Sequence, residues 1–338
     1  MSECMASTGS DLFLYIVIGV LIVGAGIAAV RWSKARILSL VLVLGIASLV
    51  ALGSTNRPAG AACVTTSISS TTIPNAATTT TTTAPAPTIQ AAIFGDSLTA
   101  NASPYITQDL AAVTTPGQIQ ATIYPHPGAA ICDVLPQMES VATTTHPQVV
   151  VIEFGGNDYT PCISAAAASG SPYAAVITQY QTNLQTAINI FLSNGTTHVI
   201  VIAPPVPSTT SPFYAHAPYP GVNAMYASFV PSLSNPAVTY FAASPWVVDP
   251  VTQQFTDYLP CKPDEISSGN CTGPVVNGVQ NNQVRYLPDQ AHLCVNMDSL
   301  YTANCIGYAS GAWRMANAVV TAMTQVFSPA YSPQPVGP

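Results

Sequence analysis

The sequence has very little charge: Asp, Glu, Lys and Arg together make up 6% of its 338 residues. A typical soluble protein carries about 25%. From residue 89 onward, nine Asp and three Glu stand against three basic residues, which gives this part a formal net charge of −9. The sequence therefore argues against nucleic acid as a partner, because binding to phosphates needs clustered Lys and Arg.

A chain so poor in charge must stay soluble through neutral polar groups. One hypothesis is an acidic habitat, in which carboxylates become protonated and ion pairs contribute less to stability.

The sequence also lacks Cys-x-x-Cys pairs. Their absence disfavours a zinc site, which commonly takes its ligands at that spacing. We expect neither a metal nor an organic cofactor.

Long uncharged stretches, in contrast, are present near the N-terminus. Residues 12–30 and 37–55 each contain nineteen residues without a charge, and a helix of that length nearly crosses the roughly 30 Å hydrocarbon core. The six residues between them read RWSKAR, and the positive-inside rule puts this loop in the cytoplasm. We therefore predict a membrane anchor over residues 1–58, with two transmembrane helices and the rest of the chain on the extracytoplasmic side of the cell membrane.

Two other interpretations of this region stay open. Residues 37–52 could be the apolar core of a late signal peptide, with RWSKAR before it and a small-residue cleavage site at Ala59-Gly60-Ala61. Alternatively, both stretches could form a hairpin buried in a globular fold. The anchor and the signal peptide both place the remaining chain outside the cytoplasm.

Residues 59–88 are predicted to be a disordered linker rich in Thr and Pro. Eleven of the twenty-five residues from 64 to 88 are Thr. Large apolar side chains are almost missing here, so burial cannot offset the entropy lost on ordering. The linker would hold a folded domain away from the membrane.

Residues 89–328 alternate between short β-branched apolar runs and helical patterns, and residues 329–338 form a tail. Alternation of this kind predicts an α/β fold with a doubly wound, mainly parallel five-stranded sheet flanked by helices, as in a flavodoxin-like sandwich. The predicted strands are residues 89–94, 118–124, 149–154, 198–204 and 238–243. The predicted helices are residues 105–113, 131–141, 173–192, 222–233 and 311–327. Catalytic groups in such folds gather at the carboxyl ends of the strands.

Three short motifs place reactive side chains directly after a predicted strand or near the last predicted helix. Ser97, in Gly-Asp-Ser-Leu-Thr, follows the first strand, where backbone N–H groups of a helix N-terminus lie near its hydroxyl. Asn157, in Gly-Gly-Asn-Asp, follows the third strand and can donate its amide to an oxyanion. Asp289 and His292 stand three residues apart near the last helix, as an acyl-transfer serine needs for its base. Each motif alone is also compatible with an ordinary cap, turn or surface histidine.

Taken together, the motifs resemble the SGNH or GDSL hydrolase family over roughly residues 89–327. The resemblance is carried by GDSLT at 95–99, Gly128 within HPGAAICDV, GGND at 155–158 and DQAH at 289–292. It implies that Ser97 is the nucleophile, His292 the base and Asp289 the residue that orients it. It also implies an oxyanion hole made of the Ser97 and Gly128 backbone N–H groups and the Asn157 side chain.

The six cysteines of this domain suggest disulfides, since the domain is predicted to lie outside the cytoplasm. Six cysteines allow fifteen pairings, which sequence alone does not separate. Our expectation is Cys132 with Cys162, Cys261 with Cys271 and Cys294 with Cys305.

The leading functional hypothesis is a membrane-tethered serine hydrolase that cleaves carboxylic esters through an acyl-enzyme. Its substrate would be a small-molecule or glycan ester, with acetylated polysaccharide or another cell-envelope ester as the first choice. One alternative is an acyltransferase acting on envelope glycans, because a sugar hydroxyl and water compete for the same acyl-enzyme. Another is a non-catalytic surface binding module, which predicts ligand binding that survives the loss of Ser97. The lipid bilayer is the expected partner of the N-terminal helices.

Overall fold

The computed structural model describes residues 88–113, 119–163, 172–213 and 219–327. The predicted transmembrane helices at 12–30 and 37–55, the linker up to residue 87 and the tail lie outside these ranges. Within the described ranges, no helix combines the length and the apolar character needed to cross a membrane.

Five strands form one parallel sheet at the centre of the domain. They are β1 (Ile89–Gly95), β2 (Ile119–Pro125), β3 (Val149–Glu153), β4 (His198–Ala203) and β5 (Val238–Ala242). Their order is β2-β1-β3-β4-β5, and every neighbouring pair is parallel. All five residues of β3 are buried, as expected for a strand covered on both faces by helices. The five predicted strands are thus confirmed to within one residue at each end.

Helices cover both faces of this sheet. The described helices are α1 (Ser97–Val113), α2 (Ile131–Thr145), α3 (Pro172–Ser193), α4 (Tyr219–Ser232), α5 (Pro263–Ser267) and α6 (Ser310–Phe327). One apolar core lies between the sheet and α2, α3 and α4. A second core lies between the sheet and α1 and α6. The predicted doubly wound α/β sandwich is therefore confirmed for the described residues.

The start of α1 corrects the sequence prediction. The predicted helix spans residues 105–113 and so starts directly after Pro104; a proline lacks an N–H and disrupts a helix interior. It begins at Ser97 instead and contains Pro104. The cost is offset by burial of one face against α6, since side chains four residues apart all enter the second core. These side chains are Leu98, Ala102, Ile106 and Leu110.

The segment between β5 and α6 contains structure that the sequence did not predict. A 3-10 helix (Ser244–Trp246) is followed by β6 (Tyr258–Pro260), α5, β7 (Val275–Val276) and β8 (Val279–Gln283). The three strands form a small sheet in the order β6-β8-β7. A buried ion pair between Glu265 of α5 and Arg314 of α6, at 2.7 Å, links this segment to α6.

The three expected disulfides are present. Cys132 pairs with Cys162, Cys261 with Cys271, and Cys294 with Cys305. The first ties the start of α2 to the loop after β3, and the third closes the loop that follows His292. Both therefore brace segments that contribute to the site described next.

Candidate active site

Ser97 is the first residue of α1, directly beyond the carboxyl end of β1. The sequence left open that Ser97 merely caps this helix. The cap is Asp96 instead, whose Oδ1 accepts a hydrogen bond from the Leu98 N–H at 2.9 Å. The Ser97 hydroxyl therefore has no capping role, and the half-buried side chain lines a cavity.

The turn that carries Ser97 is tight enough to require glycine before it. A Cβ atom at Gly95 would overlap the side chain of Thr99 and would lie 2.8 Å from the Glu153 carbonyl oxygen. Because real Cβ atoms do not approach other atoms so closely, a side chain at this position would force β1 and α1 apart. Gly95 thus allows the helix N-terminus to sit directly against β3.

His292 and Asp289 form a hydrogen-bonded pair on the loop before α6. The Nδ1 atom of His292 lies 2.7 Å from Oδ2 of Asp289, and both side chains are buried. Oδ1 of Asp289 accepts hydrogen bonds from the backbone N–H groups of Ala291 and His292 at 2.9 and 3.1 Å. The carboxylate therefore fixes both the loop and the orientation of the imidazole ring.

The pKa of Asp289 lies below its usual value. Burial acts to raise it, but the hydrogen bond and charge of His292, together with the N–H groups of Ala291 and His292, outweigh burial. Asp289 is thus held as an anion beside the imidazole. An anion at this place stabilises the imidazolium that forms when His292 takes a proton.

Four of the five predicted site residues line one cavity of about 430 Å³. They are Ser97, Gly128, Asn157 and His292. Asp289 lies behind His292, as the residue that orients a base must. The remaining lining residues are Asp96, Leu98, Pro127, Tyr159, Pro205, Pro207, Phe213, Ala291, Leu300 and Tyr301. The structure thus brings together Ser97 and His292, which are 195 positions apart in the sequence.

Tyr159, which also lines the cavity, organises the Asn157 amide. The Tyr159 hydroxyl donates to Oδ1 of Asn157 at 3.1 Å, and Nδ2 of Asn157 donates to the Ala129 carbonyl at 2.9 Å. Gly128 has a φ of +78°, and a Cβ atom there would lie 3.3 Å from the same hydroxyl. The role of Tyr159 in the site was not predicted from the sequence, because Tyr159 and Gly128 come close to each other only when their two loops fold together.

Beneath the turn lies a buried carboxyl pair that the sequence also did not reveal. Burial raises the pKa of Asp96, and burial together with the Asp96 charge raises the pKa of Glu153 well above its usual value. Oε2 of Glu153 accepts a hydrogen bond from the Thr99 hydroxyl at 2.6 Å. Asp96 accepts from Leu98 and from the Gly155 N–H at 3.1 Å. Of the two, Glu153 is therefore the carboxyl that is more readily protonated, which avoids two adjacent buried charges.

Candidate metal ligands occur elsewhere in the described residues, as a group formed by Cys132, Asp133 and Cys162. The two cysteines are joined in a disulfide. Their sulfur atoms are thus not available as thiolate ligands, and this group does not fit a metal ion.

A sequence profile of the GDSL-like Lipase/Acylhydrolase family matches residues 93–261. This segment is half of the chain and contains the Ser97 turn, Gly128 and the Asn157 loop. The chain belongs to this family. Family membership makes the protein a hydrolase that acts on esters, and it agrees with the resemblance seen in the motifs. No curated protein matches the chain.

Several solved structures show a distant similarity to this GDSL hydrolase. A lipase/acylhydrolase from Enterococcus faecalis is 20% identical and has a TM-score of 0.38, over 49% of this chain and 83% of that one. A catalytic mutant of an acetylxylan esterase from Geobacillus stearothermophilus is 14% identical, with a TM-score of 0.36, over 50% of this chain and 82% of that one. A further acetyl xylan esterase is 15% identical, with a TM-score of 0.42, over 69% of this chain and 99% of that one.

Proposed function

We propose that this GDSL hydrolase is a membrane-tethered, extracytoplasmic serine esterase that cleaves carboxylic esters through an acyl-enzyme at Ser97. One observation carries the proposal. Ser97 and His292 line the same cavity, and Asp289 is hydrogen-bonded to the Nδ1 atom of the His292 imidazole. A nucleophile, a base and a residue that orients the base are the parts that acyl transfer to serine requires.

The reaction follows from the placement of these groups. His292 removes the Ser97 hydroxyl proton as the oxygen attacks the ester carbonyl, and the carbonyl oxygen becomes an oxyanion. The Ser97 and Gly128 N–H groups donate hydrogen bonds to this oxyanion. An N–H of the Asn157 amide does the same, in place of its 3.4 Å hydrogen bond to Oδ2 of Asp96. Collapse of the intermediate breaks the bond to the alcohol, which leaves with the proton from His292. Water then attacks the acyl group with the help of His292 and releases the acid.

The extracytoplasmic location is supported by two independent features. The RWSKAR loop between two uncharged stretches orients the chain outward by the positive-inside rule. Three disulfides within one domain are typical of proteins that fold outside the reducing cytoplasm. A surface enzyme of this kind would meet esters of the cell envelope, and acetylated polysaccharide is the substrate that we propose.

A fluorophosphonate probe tests the nucleophile in the full chain, purified in detergent micelles. The parent should be labelled and should hydrolyse p-nitrophenyl acetate, whereas Ser97→Ala and His292→Ala should lose both properties. Ser193→Ala and His146→Asn are matched controls, because both residues are exposed and lie away from the cavity. Equal labelling of the parent and Ser97→Ala would contradict the assignment of the nucleophile. A folded parent without any labelling would favour the binding-module alternative.

The location has its own test in intact cells that express the full chain. Protease added outside should cut the Thr-rich linker and release the domain, while a cytoplasmic marker protein stays intact. Release of the domain into the medium without protease would favour a cleaved signal peptide. Cleavage only after cell lysis would contradict the extracytoplasmic location.

A further inference from the structure

Two large apolar side chains stand exposed at the mouth of the cavity. Tyr301 is 92% exposed and Leu300 is 54% exposed, and both line the cavity that contains Ser97 and His292. Exposed apolar groups that continue into a pocket are characteristic of binding surfaces. Other exposed apolar side chains, such as Val251 and Ile306, lie outside the cavity lining. Leu300 and Tyr301 therefore indicate a place where a ligand in the cavity makes contact.

The loop that carries them is cross-linked and hydrogen-bonded within itself. The Cys294–Cys305 disulfide closes it, and the Asp298 carboxylate accepts four hydrogen bonds from within it. The donors are the Ser299 N–H, the Thr302 hydroxyl, and the backbone and side-chain N–H groups of Asn304. Tyr301 is therefore presented by a braced loop, and binding through it costs little ordering entropy.

The chemistry of the site indicates which part of the ester faces this loop. His292 must protonate the oxygen of the leaving alcohol, so that oxygen lies within hydrogen-bond reach of the imidazole. The loop begins at Cys294, only two residues after His292. Gly128 and Asn157, in contrast, are the proposed donors to the carbonyl oxygen. The alcohol part of the ester is thus the part that approaches Tyr301.

The lining of the cavity restricts the kind of alcohol. No Lys or Arg occurs among the described lining residues, and the carboxylate of Asp96 is buried and occupied by hydrogen bonds. The remaining walls are formed largely by prolines and aromatic rings. Such walls offer no partner for a charged group. An exposed phenol ring suits a ligand with one flat apolar face and polar edges, since tyrosine combines an apolar body with a polar tip.

We propose that Tyr301 is a specificity-determining residue that stacks on the alcohol part of the substrate, and that this alcohol is a neutral sugar ring. The inference rests on the proposed esterase function and names the residue and the side of the cavity that recognise the sugar. The apolar face of the sugar would contact Tyr301 and Leu300, while its hydroxyl groups would remain in water.

The experiment compares two monoacetate esters that differ only in the alcohol, methyl 6-O-acetylglucoside and ethyl acetate, with the full chain in detergent micelles and a pH-stat readout. In Tyr301→Ala, the ratio of kcat/KM for methyl 6-O-acetylglucoside to that for ethyl acetate should fall about tenfold, which corresponds to about 1.4 kcal/mol. Tyr301→Phe should keep the parent ratio because it keeps the ring. Ile306→Ala is the matched control, since Ile306 is 58% exposed and lies just beyond the same disulfide but outside the cavity lining.

The possible results separate the inference from the proposed function. If the parent hydrolyses both esters and Tyr301→Ala keeps the parent ratio, the role of Tyr301 is wrong and the esterase function stands. If the parent hydrolyses ethyl acetate but not methyl 6-O-acetylglucoside, or if Tyr301→Ala lowers activity on hexyl acetate instead, the sugar class is wrong. If the folded parent hydrolyses neither ester, the proposed function fails together with the inference.

Discussion

The side chain of Asn101 in α1 accepts a hydrogen bond from the backbone N–H of Leu293, the residue after His292, at 2.8 Å. Nδ2 of the same side chain donates to the carbonyl oxygen of Ala303, near the far end of the loop that carries Tyr301. Asn101 is fully buried. One amide thus joins the helix that begins at Ser97 to both ends of the loop that follows the histidine.

Replacement of Asn101 by Ala should weaken both stability and catalysis. It leaves the Leu293 N–H and the Ala303 carbonyl without their partner, at a cost of about 1–3 kcal/mol for each buried group. It also frees the histidine loop to shift, and a displacement of about 1 Å can lower a rate roughly a hundredfold. We expect a lower free energy of unfolding in urea and a lower kcat for p-nitrophenyl acetate.

The control is Asn189→Ala, which removes an exposed amide from α3. Its free energy of unfolding should stay within about 0.5 kcal/mol of the parent. An Asn101→Ala variant as stable and as active as this control would show that the amide bridge does not position the histidine loop.

The Asp289→Asn substitution should lower kcat by about 10³–10⁴-fold with little change in fold. The amide NH₂ group would donate to Nδ1 of His292, so the ring would carry its proton on Nε2 and could not accept one from Ser97. Steady-state kinetics with p-nitrophenyl acetate measures the effect. Asp264→Asn, at an exposed carboxylate on α5, should keep the parent kcat. Retention of more than about a tenth of kcat in Asp289→Asn would argue against its orienting role.

Two of the disulfides make a matched pair for mutagenesis. Cys294–Cys305 spans 11 positions and Cys261–Cys271 spans 10. Replacing either pair by Ser should therefore lower the free energy of unfolding by a similar amount, about 2–3 kcal/mol from loop-closure entropy. Only the Cys294–Cys305 pair braces the cavity wall, so only its loss should also lower kcat/KM for methyl 6-O-acetylglucoside. If both double variants lost the same fraction of kcat/KM, the loss would be caused by lower overall stability and not by a change in the Tyr301 loop.

Stability should increase as the pH falls from about 7 to about 5. Burial raises the pKa of Asp96, Asp109, Glu153 and Asp257, that of Asp109 to about 6. The folded state therefore holds protons that the unfolded chain releases above its ordinary carboxyl pKa values. Stability from these groups is fully present below those values and is lost as the pH rises through the folded pKa values. Urea unfolding at pH 5 and pH 7 measures the difference.

The opposite trend should appear in stronger acid. The pKa values of Glu265 and Asp289 are lowered despite burial, by Arg314 and by His292 respectively. Stability from these two groups is present above their ordinary carboxyl pKa values and is lost as the pH falls through their lowered folded pKa values. Asp109→Asn should flatten the slope between about pH 4 and pH 6. A stability that is constant or rises from pH 5 to pH 7 would contradict the role of the buried carboxyls and would remove support from the acidic-habitat hypothesis.

The strands and the reactive motifs could be predicted from the sequence because their signals are local. A buried parallel strand needs a short run of β-branched apolar residues, such as residues 149–153, whatever surrounds it. Ser97 and Asn157 follow such runs directly, and Asp289 stands three residues from His292. The disulfide expectations also proved correct, two of them because short loops bring their cysteines near each other.

Tertiary structure decided the features that depend on distant segments. Pro104 argued for a later helix start, yet burial of α1 against α6 outweighed that local preference. The raised pKa of Glu153 needs Asp96, fifty-seven positions earlier, and a dry interior around both. Asn101 and Ala303 are joined across 202 positions. Local sequence patterns determine which residues form buried strands. The contacts that shift a pKa or position a loop arise only when the folded chain brings remote residues together.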